Sequence, residues 1–395
     1  MKYFDLLGLH SETDSPKGWI WARLQAHVLQ RKYFEFLRKR TQDSIASSIS
    51  KRLNCGFSTV QKHLIRLKKS EEVVDLPLPL LLELTNIFRI KRFTFEYLYT
   101  KSDTTRKKVN PITQLSPTLA KIVGGFAADG YMQYNNGSYR LKIVDGDETS
   151  IRRFAEWIHD IFGIQSNYYY YKEDHAWLCW FNNKVVARYF EKFFSIRPGK
   201  KSHIAHKPRI IQGKENERAF ALGVLQFDGG VKATGMAAFT TKSKQLMEDV
   251  ARIVRKDGLK IITSYNKKKK FYLLESRTGR DKEQLKKWLM YFEPGTRKHD
   301  MLKFLIRGKK MGIKELLRLF PKHYSTRLSV LEVYNAIKSI KKGYNHDIVD
   351  ELKQQGIFVS WITIYKHLHL LSQAKLLRKE KASMNRVLYS VMARN

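Results

Sequence analysis

Two nine-residue stretches end in the same way: IVGGFAADG, from Ile122 to Gly130, and ALGVLQFDG, from Ala221 to Gly229. Each reads as an apolar helix that stops at Asp-Gly, and the two aspartates, Asp129 and Asp228, stand 99 residues apart. A carboxylate beside the negative end of a helix is electrostatically unfavourable. A hard divalent cation relieves this, because Mg²⁺ takes carboxylate and carbonyl oxygens, water and phosphate as ligands. One such ending is a common turn pair. Its repetition at a matching offset singles these carboxylates out.

The elements that must position the two acids repeat as well. Each quoted helix is followed by a strand-like run, SYRLKIV at 138–144 and MAAFTT at 236–241. An amphipathic helix comes next, at 148–163 and 243–258, and then two more strands, at 164–171 with 176–181 and at 259–265 with 271–277. A helix closes each copy, near 183–194 and 281–292. The order αββαββα thus occurs twice, over 116–212 and 213–308.

The chain has 395 residues, enough for several domains, and Lys and Arg outnumber Asp and Glu by 74 to 37. A surplus of +37 repels itself and points to a polyanionic partner, nucleic acid before an anionic membrane. No apolar run reaches the roughly 18 residues that a membrane span needs. Cys55 and Cys179 are far apart, which argues against a disulfide scaffold or zinc ribbon. The first residues lack the apolar core of a signal peptide, so an intracellular location is expected.

Both ends suggest small DNA-binding modules. Residues 1–101 contain two helical patterns around a turn at Asn54-Cys55-Gly56: Ile45, Ile49 and Leu53 line one, and Val60, Leu64 and Leu67 the other. Ser58 and Thr59 are natural caps for the second helix, which carries Gln61, Lys62, His63 and Arg66, the pattern of a helix-turn-helix. The alternative is an ordinary helical hairpin. Residues 102–115 read as a polar linker. From 325 to 395, three helices precede a hairpin, as in a winged helix. Ile362, Tyr365, Leu368 and Leu371 give the third helix its apolar stripe. That helix offers Ser360, Thr363, Lys366 and His367, and the wing offers Arg378, Lys379, Lys381 and Arg386. A winged helix used for protein contacts is the alternative reading.

The two nonapeptides, with glycine third, aspartate eighth and glycine ninth, resemble the LAGLIDADG homing endonuclease family in its single-chain, two-repeat form. The likeness covers about half of the chain. It implies an α+β fold in which two pseudo-symmetric αββαββα repeats form a saddle on double-stranded DNA, here flanked by all-α helix-turn-helix and winged-helix domains. It implies a monomer with internal pseudo-twofold symmetry that hydrolyses phosphodiester bonds using Mg²⁺ or Mn²⁺.

Gly124 and Gly223 would form the seam between repeats. Asp129 and Asp228, with Gly130 and Gly229 in a left-handed conformation freeing them from the helix, would hold the metal. In the sheets that face DNA, Arg140, Lys142, Tyr168 and Tyr170 are candidate contacts, Tyr169 and Tyr171 pointing the other way. Lys267, Lys268, Lys269 and Lys270 form a hairpin tip suited to phosphate.

Family members commonly place a basic residue after the second strand of each repeat. TTKSK, from Thr240 to Lys244, supplies Lys242, whereas the equivalent VDGDE places Gly146 among acids. Gln226 and Phe227 also stand where small residues usually line the seam. These departures open the way to nicking of one strand. They also suit a bacterial regulator family that pairs a degenerate LAGLIDADG domain with a helix-turn-helix and binds DNA without cutting it. An RNA maturase is a third reading, and an intein is disfavoured. His203 and His206 have metal-compatible spacing but no accompanying carboxylate or cysteine set.

Overall fold

The computed structural model describes residues 4–9, 14, 16–90, 93–101, 108–135, 138–199, 203–277, 281–321, 328–383 and 386–392. It is a mixed α/β chain with antiparallel sheets, in two compact units, residues 1–224 and 225–395.

The first unit opens with β1 (Ile20–Gln25), α1 (His27–Leu37), α2 (Gln42–Leu53), α3 (Phe57–Lys69), β2 (Val73–Pro77), α4 (Leu78–Phe88) and β3 (Phe95–Thr100). The all-α expectation for this segment is therefore wrong: β1 pairs antiparallel with β2 and β3 in a three-stranded sheet. α2 begins where the Thr41 hydroxyl accepts from the Ser44 N–H, and ends at Asn54 in the left-handed region, φ 47°. α3 starts one residue after Gly56, so Ser58 and Thr59 lie within its first turn and cap nothing. Its buried stripe is Val60, His63, Leu64 and Leu67.

The rest of this unit is α5 (Pro117–Ala128), β4 (Tyr131–Asn135), β5 (Ser138–Asp145), α6 (Glu148–Phe162), β6 (Asn167–Tyr171), β7 (Ala176–Asn182), α7 (Lys184–Phe194) and the greater part of α8 (Lys214–Asp228). The sheet order is β4-β5-β7-β6. Phe126 packs on Phe154 and Phe190, with ring centroids 5.7 and 4.6 Å apart, which fixes α5 against α6 and α7.

The described part of the expected linker is packed rather than free. Val109 bridges to Leu98, and the Tyr189 hydroxyl accepts from the Ile112 N–H at 2.9 Å. Residues 102–107 lie outside the described residues. The N-terminal segment is also clamped to α7. Asp14, nearly buried, pairs with Lys184 at 2.7 Å and Arg188 at 3.1 Å, and Phe4 packs on Phe193 with centroids 4.6 Å apart.

In the second unit follow β8 (Gly229–Val231), β9 (Ala237–Thr241), α9 (Lys244–Lys256), β10 (Ile261–Asn266), β11 (Phe271–Ser276) and α10 (Lys282–Leu289). The sheet order β8-β9-β11-β10 reproduces that of the first sheet, strand for strand. α11 (Arg297–Arg307) and α12 (Ile313–Leu319) were not anticipated from sequence. The chain closes with α13 (Val330–Ile340), β12 (Lys342–Gly343), α14 (Asn345–Gln354), α15 (Trp361–Gln373), β13 (Leu377–Ser383) and β14 (Arg386–Val391), with sheet order β12-β14-β13. The core stripe of α15 is Ile364, Leu368 and Leu371, whereas Ile362 is exposed, so the expected stripe is out of phase at its start.

Candidate functional site

Two glycines decide how closely α5 and the first turns of α8 approach within the first unit. A Cβ added at Gly124 would lie 2.1 Å from the Phe220 carbonyl oxygen and 3.1 Å from the Val224 nitrogen. One added at Gly223 would lie 2.1 Å from the Lys121 carbonyl oxygen and 2.8 Å from the Gly125 nitrogen. Real Cβ atoms do not come so close, so backbone meets backbone here and only glycine fits.

Each aspartate stands five residues beyond its glycine. Asp129 caps α5, its N–H donating to the Gly125 carbonyl at 3.0 Å, and is exposed. Asp228 is the last residue of α8 and is half-buried. The expected left-handed glycines are a correction: neither Gly130 nor Gly229 has positive φ. Crowding explains them. A Cβ at Gly130 would lie 2.4 Å from Phe126 Cδ1, and one at Gly229 would lie 2.3 Å from the Leu225 carbonyl oxygen.

Gln226 and Phe227 are both buried. The Gln226 side-chain oxygen accepts from the Glu293 N–H at 2.9 Å, and the Lys298 ammonium donates to the Gln226 carbonyl. Gln226 therefore anchors the end of α8 to its own repeat.

The turns after β5 and β9 are built alike. The Asp147 N–H donates to Asp145 Oδ1 at 2.7 Å, and the Ser243 N–H donates to Thr241 Oγ1 at 3.1 Å. The residue between is Gly146 in one copy and Lys242, exposed, in the other. The equivalence read from sequence thus has a structural counterpart, and one copy places no cation there.

The face of the first sheet away from α6 and α7 carries cations, amides and aromatic rings in register. Gln133, Arg140 and Asn182 form one row across β4, β5 and β7. Tyr131, Lys142, Trp180 and Asn167 form the next, reaching β6. The Arg140 guanidinium lies 5.1 Å from the Trp180 ring centre and donates to Asn182 Oδ1 at 3.3 Å. The Lys142 ammonium lies 5.0 Å from that of Tyr131.

Tyr168 and Tyr170 are a correction, because they pair with Cys179 and Trp177 and so stand on the opposite, helix-facing side. Tyr168 lies under the Arg152 guanidinium of α6, 5.6 Å from its ring centre, and Tyr170 packs on Trp177 with centroids 5.6 Å apart. Tyr169 and Tyr171 share the face of Arg140. Gln133, Asn182, Tyr131 and Trp180 were missed from sequence. Alternation about the buried Met132 on β4, and about the buried Cys179 and Phe181 on β7, is the signal that finds them.

Lys267, Lys268, Lys269 and Lys270 occupy the β10–β11 turn, all exposed. In the second sheet Glu275, on β11, pairs with Lys232. On α3, Lys62 and Arg66 are exposed, while the Gln61 amide donates to Asp43 Oδ1 at 3.0 Å. Arg66 joins Lys69, Lys101, Asp75 and Tyr99 around an open cleft of about 510 Å³. His63 faces inward on Trp21 instead, ring centroids 5.1 Å apart, and burial with the charges of Arg66, Lys101 and Lys62 lowers its pKa to about 4.

In the second unit Thr363 and Lys366 are half-buried on α15, and Arg378 is exposed and paired with Glu380 at 3.2 Å. His367 is also turned inward, its pKa lowered to about 4 chiefly by burial. Arg386 begins β14, with its side chain outside the described ones. Among the described residues no three His, Cys, Asp or Glu side chains gather as a metal-binding group, and His206 Nδ1 lies 3.0 Å from the Ile204 carbonyl. No described helix is long and apolar enough to cross a membrane.

The sequence matches no family model, and no curated protein matches it. Parts of the chain are similar to solved structures. The homing endonuclease I-DmoI, in complex with DNA and Mn, aligns over 40% of this chain and 89% of its own at 19% identity, TM-score 0.32. The homing endonuclease I-WcaI, bound to its DNA recognition sequence, aligns over 49% of this chain and 88% of its own at 13% identity, TM-score 0.32. Full-length DUF199/WhiA from Thermatoga maritima aligns over 65% of this chain and 91% of its own at 10% identity, TM-score 0.33.

Proposed function

We propose that this protein is a divalent-metal-dependent, site-specific DNA endonuclease acting as a monomer on a long duplex target. One observation carries the reading: the reciprocal glycine contacts of α5 and α8, with an aspartate five residues beyond each. On this reading the two helices run parallel, and each carries a carboxylate at its C-terminal end.

Asp129 and Asp228, with the main-chain oxygens of Gly130 and Gly229, are the donors proposed for Mg²⁺ or Mn²⁺. The donor set fits, since carboxylate and carbonyl oxygens at negative helix ends suit a hard cation and suit little else. When bound, such an ion activates water and stabilises the leaving oxygen in phosphodiester hydrolysis. Lys242 orients the attacking water in one half. Gly146 offers no such group in the other, so the two strands are cut at unequal rates.

Arg140, with Gln133 and Asn182, supplies the donors and acceptors for base edges in the major groove. Lys142 and the four lysines at 267–270 neutralise phosphates. The N-terminal α2–α3 pair, through Lys62 and Arg66, acts as a helix-turn-helix. The C-terminal module, a winged helix, adds phosphate contacts through Lys366, Arg378 and Arg386 and lengthens the footprint. Tethering adds affinity without new contacts.

Incubation with a randomised DNA library and Mg²⁺, followed by sequencing of broken ends, tests this reading. Discrete recurrent termini are expected. DNA that is bound yet intact would instead support a non-cleaving regulator, the second reading, which the acidic turn at Asp145-Gly146-Asp147 favours.

A further inference from the structure

α15 is apolar on two sides. Ile364, Leu368 and Leu371 are buried beneath it. Phe358, Trp361 and Ile362, grouped around its start, are 67%, 60% and 53% exposed. Single exposed apolar side chains need no explanation, but three together at the start of one helix mark a contact surface. A duplex-reading helix would place hydrogen-bonding side chains at this end. Here the Ser360 and Thr363 hydroxyls engage each other at 3.1 Å and the large rings stand clear.

The charge of the module indicates what covers the rings. Between residues 325 and 395 Lys and Arg outnumber Asp and Glu by 12 to 5, and Lys375, Arg378, Lys379 and Lys381 are exposed. A second copy of this module would bring the same positive surplus against it and be repelled. Nucleic acid is attracted. Exposed rings on a module with a positive surplus suit nucleic acid with unstacked bases, because every base presents a π face while its phosphate takes a cation.

We propose that the C-terminal module binds nucleic acid whose bases lie outside a duplex, with Trp361 and Phe358 as the stacking platform and the module's exposed cations on the phosphates. This goes beyond the endonuclease reading and does not depend on it.

The test is an anisotropy titration of the full chain in EDTA at fixed salt. Three probes of one sequence are used: a single strand, a duplex with a three-base bulge, and a blunt duplex. The Phe358→Ala/Trp361→Ala double variant is expected to lose about tenfold or more in affinity per ring for the first two probes, with little change on the third. Trp361→Phe keeps most of the affinity because a ring remains. The emission of Trp361, read as the difference between wild type and Trp361→Phe, is expected to be quenched by the single strand and unaffected by the blunt duplex. That readout does not depend on the double variant folding. Absence of quenching, an equal loss on all three probes, or a wild-type dimer that the double variant abolishes would overturn the proposal.

Discussion

Gly124 and Gly223 meet each other's helices at identical offsets. Each would drive a Cβ into the carbonyl oxygen three residues before the other glycine and toward the nitrogen one residue after it. Both carbonyl contacts are 2.1 Å and both involve backbone, which cannot swing aside as a side chain would. Gly124→Ala or Gly223→Ala is therefore expected to destabilise the first unit by roughly 2–4 kcal/mol through overpacking. The double variant should cost less than the sum, because the first methyl already separates the helices. Urea denaturation measures this. Gly230→Ala, with nothing within 4 Å of the added Cβ, is the near-neutral control.

The repeats were legible because their helices and strands alternate apolar and polar residues at clean periods, and because the two nonapeptides mark equal places in each. Other features carried no such contrast. Four consecutive tyrosines, Tyr168 to Tyr171, have no period, so only pairing with Cys179 and Trp177 reveals which way each points. α15 holds enough apolar residues for two stripes, and the sequence cannot say which is buried. β1 pairs with strands about 50 and 75 positions further along the chain, and that long-range pairing leaves little local trace. Gly130 follows an aspartate at a helix end, which suggests a left-handed cap. The crowding against Phe126 that requires glycine there is visible only in three dimensions.

The acids and Lys242 give a prediction that separates cutting from binding. Asp129→Asn or Asp228→Asn should lower Mg²⁺-dependent cleavage by about a hundredfold or more, since metal contacts contribute several kcal/mol. DNA affinity measured without metal should hold or rise, because a negative charge has been removed. With strand-specific labels, wild type is expected to cut one strand faster. Lys242→Met should slow mainly that strand, and Gly146→Lys should narrow the ratio. Equal rates on both strands in wild type would remove Lys242 from the mechanism.

Arg140 and the lysines at 267–270 should affect DNA binding in different ways. Arg140 lies in a row with two amides, Gln133 and Asn182, on a sheet face, the chemistry of base recognition. Arg140→Ala is expected to cost about 1–3 kcal/mol on the preferred site and to relax specificity at one base position. Replacing Lys267, Lys268, Lys269 and Lys270 by Ser should weaken binding to every sequence alike. It should also lower the slope of log affinity against log salt by roughly 3–4. Titrations at several salt concentrations on matched and scrambled duplexes distinguish the two effects.

His63 makes the first unit sensitive to mild acid. It lies on the edge of Trp21, and burial, aided by Arg66 and Lys62 on α3 and Lys101 beyond β3, lowers its pKa from 6.5 to about 4. The folded value lies below the unfolded one, so the unfolded chain binds the proton more tightly between them. Stability is complete above about pH 6.5 and is withdrawn as pH falls toward about 4, a loss on the order of 3 kcal/mol when complete. Urea denaturation of the first unit at pH 7 and pH 4.5 should show this loss in wild type. In His63→Leu, which cannot take up a proton, the gap between the two pH values should shrink by most of that amount. An unchanged gap would mean that His63 takes up its proton as readily in the folded protein as in the unfolded chain.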